Sequence, residues 1–152
     1  MTNTPEELRA WAKGSLPCEA ATELLLRAFD GRFAGPGWSW MVRDAEYGNT
    51  YIDFDAIPVH TGGLSGGEKR FLSIVASIGG SWPLILNDAL PGLDRNLLDL
   101  VLAAVAHAAG SHQGAVMTEN PDGSMSIDHP GTLYPWPEAA KRRLRVVDGG
   151  RP

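Results

Sequence analysis

LSGGEKRFLSIVASI (residues 64–78), PLILN (residues 83–87) and LDRNLLDLVLAAVAHAA (residues 93–109) decide how this chain folds. In the first stretch Phe71, Leu72, Val75 and Ile78 recur at helical spacing, which predicts a helix from about Gly66 to Ile78. Ser65 followed three residues later by Glu68 is a capping box, in which hydroxyl and carboxylate satisfy each other's free backbone N–H groups. Pro83 to Asn87 is short and apolar and reads as a strand. Asp94 then caps a helix from Arg95 to Ala109. That helix is so apolar between Leu97 and Ala106 that burial is expected, with Asp99 and His107 at its wettest edge. Gly114 to Thr118 reads as a further strand. Asn120-Pro121-Asp122-Gly123 is turn chemistry, across which Ser124 to Asp128 can pair back.

Upstream, Thr4, Pro5 and Glu7 open a helix by the same capping logic, and Leu8 and Trp11 share a face of it. Gly14 ends it. Ser15 caps a second helix expected from about Pro17 to Phe29, striped by Ala21, Leu24, Leu25 and Ala28 and terminated at Gly31. Trp38 to Arg43 and Thr50 to Phe54 read as a hairpin around Tyr47-Gly48-Asn49, with Trp38, Trp40 and Val42 on one face. The expectation is a single small α/β or α+β domain over residues 1–152. It comprises a helical part (1–31), an aromatic hairpin (38–54), a helix–strand–helix–strand unit (64–119) and an irregular tail (130–152).

Composition narrows the function classes. With 13 basic against 18 acidic residues the formal net charge is −5, which disfavours general affinity for nucleic acid or anionic membrane. Cys18 is the only cysteine, so no internal disulfide can form, as suits a reducing cytoplasm. The polar, acidic start MTNTPEELRA is not expected to be a signal peptide, and no apolar run reaches membrane-spanning length. Arginine outnumbers lysine ten to three, the usage of a GC-rich bacterial genome.

LSGGEKR (Leu64 to Arg70), followed by the apolar Leu84-Ile85-Leu86-Asn87-Asp88 and then Gly92-Leu93-Asp94, resembles the signature region of ABC-type ATPases in order and rough spacing. The resemblance runs from Leu64 to Glu119. It implies a strand ending in the Walker B acids, a D-loop, and a signature that contacts nucleotide held by another subunit. On that basis Ser65, Gly66, Gly67, Asp88 and Asp94 are the residues that would meet nucleotide in trans. The chain departs from the family at several points. It has no GxxxxGK[ST] phosphate loop and no glutamine ahead of the signature. Asn87 and Asp88 stand where the family has a metal-binding Asp and a catalytic Glu, and Glu119 stands where it has a switch histidine. The chain is therefore not a self-sufficient ATPase, and no catalytic residue, metal site or cofactor is assigned. Local helix capping explains the same residues without nucleotide.

The expected role is a non-catalytic interaction or regulatory protein whose partner is another protein. One alternative is an accessory ATPase fragment that lends its signature to a P-loop protein. A second is a small nucleic-acid-binding protein using Lys141, Arg142, Arg143 and Arg145, with the hairpin aromatics as a stacking platform.

Overall fold

The computed structural model describes residues 4–138, and the basic cluster Lys141, Arg142, Arg143 and Arg145 lies outside them. The chain forms one small α+β domain: mainly helices, with two antiparallel sheets of two strands each.

Helix α1 (Pro5–Ala12) starts in the expected capping box: the Thr4 hydroxyl accepts from the Glu7 N–H at 3.2 Å and the Glu7 carboxylate accepts from the Thr4 N–H at 3.0 Å. Gly14, at φ +106°, turns the chain into α2 (Leu16–Arg27), which Ser15 caps. Ala20, Ala21, Leu24 and Leu25 are wholly buried on α2, which packs against both α3 and α5. Glu23 clamps α1 to α2, taking Arg9 at 2.6 Å and Arg27 at 2.7 Å.

Helix α2 stops at Arg27, two residues short of the expected Phe29. Phe29, Asp30 and Gly31 all take positive φ, so the reversal begins before the glycine. Non-glycine residues there cost about 1–2 kcal/mol each. Packing on the Phe29 ring offsets that cost: it meets Phe33 and Phe71 edge-on, with ring centres 5.2 and 5.7 Å away.

The expected aromatic hairpin exists but is shorter. β1 (Met41–Arg43) pairs with β2 (Thr50–Ile52), Met41 opposite Ile52. Trp38 and Trp40 precede the strand instead of belonging to it. Their indole N–H groups donate to the Arg32 and Phe33 carbonyls, and the rings stack with centres 4.6 Å apart. Trp40 is fully buried, and Val42 is only half-buried, so the three do not form a shared face.

Helix α3 (Gly66–Gly79) follows its Ser65–Glu68 capping box and buries Phe71, Leu72, Ile74, Val75 and Ala76. The strand expected over 83–87 is not formed. Ile85 instead precedes a single turn, α4 (Leu86–Ala89), whose Asp88 and Ala89 N–H groups return to the Ile85 carbonyl. A strand needs a neighbouring strand to take its backbone hydrogen bonds. Among the described residues β1–β2 and β3–β4 each pair only within themselves, so no central sheet receives it.

Helix α5 (Arg95–Ala108) has the expected Asp94 cap, with Oδ1 accepting from the Leu97 N–H at 2.8 Å. Its burial differs from expectation. Leu97, Leu100, Val101, Ala103 and Ala104 enter the core, whereas Leu98, Leu102 and Val105 stay 40, 42 and 55 % exposed. The polar edge is the covered one: the Tyr134 hydroxyl bonds Asp99, and His107 sits between Glu19 at 3.0 Å, His112 and Trp136. β3 (Val116–Glu119) and β4 (Met125–Asp128) pair across the Asn120–Gly123 turn and are the last strands among the described residues.

Candidate interaction surface

The residues of the signature-like series fall into two capped helix starts that touch. Ser65 Oγ accepts from the Glu68 N–H at 3.2 Å, and Glu68 accepts from the Ser65 N–H at 3.0 Å and from Arg32 at 2.7 Å. The Ser65 N–H, with Arg32 beyond it, holds the Glu68 carboxyl below its ordinary pKa. Arg70 lies across Gly92 so closely that a Cβ there would meet its side chain at 2.4 Å. The fold therefore does bring Gly66-Gly67 and Gly92-Leu93-Asp94 together, through the α3 entry and the Arg70 side chain. Asp88 is exposed on the single turn of α4, apart from any strand end. Asp94 is occupied by its own helix.

The capping role can be measured. Ser65→Ala should lower stability by about 1 kcal/mol, the usual loss for a Ser cap, in urea denaturation of the full chain. An unchanged midpoint would mean that the Ser65 hydroxyl serves something other than α3.

The four hairpin aromatics do not form one exposed face. Trp40 is inaccessible and both indoles are bonded to the backbone, while Tyr47 and Tyr51 reach solvent from the hairpin itself. Among the described residues no group of three or more His, Cys, Asp or Glu is placed to hold a metal ion, and no helix is long and apolar enough to cross a membrane.

What the described residues do expose is apolar surface in ordered elements. On α5, Leu98, Leu102 and Val105 occupy positions i, i+4 and i+7, one line along the helix away from the core. On β3–β4, all eight strand residues are exposed. Met117 faces Ile127 and Glu119 faces Met125 across the ladder. Strand alternation puts those four on one side and Val116, Thr118, Ser126 and Asp128 on the other. The hairpin is held by its own turn: Asn120 donates to Ser124 at 3.0 Å and Ser126 at 2.7 Å, and Asp122 accepts from the Ser124 N–H at 2.9 Å.

Sequence reasoning missed this surface because α5 is apolar on nearly every side. The signal in the sequence is the hairpin, where Met117 precedes Thr118 and Ser126 separates Met125 from Ile127. Compared with family models, curated proteins and solved structures, the chain gives no match in any of the three.

Proposed function

We propose that this chain is a non-catalytic interaction or regulatory protein that docks another protein on the outer face of α5. The observation that carries the reading is the exposed line Leu98, Leu102, Val105 on a helix whose opposite side is in the core. A helix on the surface of a self-contained domain normally turns polar residues to water. Apolar side chains scattered singly need no explanation, but aligned ones mark contact surfaces. The alternative, a signature lent to a P-loop partner, would require Ser65 and Asp94 to leave the capping bonds they now make. Affinity for nucleic acid is opposed by the net charge of −5.

Leu102→Glu tests the reading. A half-exposed position away from the core should change stability by less than about 1 kcal/mol. Affinity purification from the native host with both forms of the chain should recover a protein with the unmodified form that Leu102→Glu loses, at an unchanged melting temperature. Equal recovery with both forms would overturn the α5 docking surface.

A further inference from the structure

The β3–β4 hairpin is a second apolar surface, and its geometry and charge define what fits it. Two isolated strands are marginal in water; a hairpin normally gains stability by packing its apolar face on a helix or on further strands. Among the described residues this one packs on no other helix or strand beyond marginal contact, and Met117, Met125 and Ile127 are 63, 55 and 61 % exposed. The face is four residues long, so roughly 13 Å at 3.3 Å per residue, and two strands wide. An α-helix about 10 Å across matches that width; a further sheet would overhang it.

Charge supplies the rest. From Asn96 to Glu138 there is no lysine or arginine, while Asp99, Glu119, Asp122, Asp128 and Glu138 are all acidic. Three of these belong to the hairpin: Glu119 on the apolar face, Asp122 at the turn and Asp128 at the end of β4 on the opposite face. Two copies meeting face to face would bury two Glu119 carboxylates in one apolar interface without a cation to pair them, which disfavours self-association. Complementary charge across an interface selects the partner and speeds encounter.

We propose that the Met117, Met125 and Ile127 face receives a helix of a partner protein that is apolar along one side and flanked by lysine or arginine. The inference rests on the interaction reading above but uses a different surface. Apolar side chains of that helix cover the two methionines and Ile127, and its cations reach Glu119 on the face and Asp122 at the turn.

The test titrates a synthetic helical peptide of leucine and lysine, amphipathic in pattern, into the full isotope-labelled chain. A leucine–glutamate peptide of the same pattern is the control. The lysine peptide should shift the amide signals of residues 116–128, with affinity falling as salt rises. Ile127→Glu should weaken it about tenfold or more, the loss typical of a central apolar anchor. Glu119→Gln should weaken it less and flatten the salt dependence. Because the hairpin stands off the body, both variants should melt with the unmodified chain; a lowered melting temperature for either would mean that the face is packed, and would overturn the proposal. So would equal binding of the glutamate peptide, shifts confined to α5, or no binding. Concentration-dependent dimerisation abolished by Ile127→Glu would overturn it by giving the face to a second copy. The two readings fail separately. Loss of the hairpin signal leaves the Leu102→Glu result standing, and equal recovery with Leu102→Glu leaves the peptide result standing.

Discussion

Phe71→Ala should cost about 3–5 kcal/mol, a large share of the roughly 5–15 kcal/mol available to a domain of this kind. Phe71 is fully buried on α3, the helix that packs against α2, and its ring takes the edge of Phe29 at a centre distance of 5.7 Å. Removing the ring leaves a cavity and also frees Phe29, which its contacts hold at φ 52°. The expected result in urea denaturation is a midpoint shifted far toward water, or a chain that does not fold at all. Leu98→Ala gives the internal comparison. Although it lies in the most apolar stretch of the sequence, the Leu98 side chain is 40 % exposed, and its loss should change stability by no more than about 1 kcal/mol. Comparable losses at both positions would place the α5 line inside the core and remove the proposed docking surface.

Gly79→Ala should destabilise by about 1–3 kcal/mol, the range for forcing an extra methyl into a filled core. Gly79 closes α3, and a Cβ there would meet Ala21 on α2 and the Phe54 ring, each at 2.7 Å. Neither neighbour can yield easily, because Ala21 belongs to a buried helix face and Phe54 is itself buried. The sign is diagnostic. At an open helical site the same substitution stabilises by up to about 1 kcal/mol, since alanine is the better helix former. A higher melting temperature for Gly79→Ala would show that α3 and α2 are not in close contact at this point. A lower one, partly restored by Phe54→Leu, would assign the cost to the ring.

Several residues of the candidate surfaces were visible in the sequence but were assigned differently. The sequence puts Leu98, Leu102 and Val105 in the expected core, because helical periodicity cannot separate two apolar faces of one helix. Charge favours water, so the sequence alone puts Asp99 and His107 at the wet edge. In the structure the segment after β4 lies over them, and Tyr134 and Glu19 supply their partners. For Ser65, Gly66, Gly67 and Asp94 the resemblance to a nucleotide-binding signature and the local capping chemistry invoke the same residues. The geometry adds that the exposed Arg70 side chain lies over Gly92.

Local chemistry in the sequence determined where helices begin. Thr4, Ser15, Ser65 and Asp94 all cap where their side chains predicted, because a cap depends only on groups within three residues. The Asn120–Gly123 turn and its two strands follow from the same short-range logic. Only tertiary structure decided the rest. Residues 83–87 have the composition of a buried strand, but a strand exists only where another chain segment accepts its hydrogen bonds, and among the described residues none is there. Likewise α5 has more apolar surface than one neighbour can cover. Which part meets α2, which lies under residues 132–137 and which is left to solvent was set by distant segments, whose arrival no local pattern in α5 encodes.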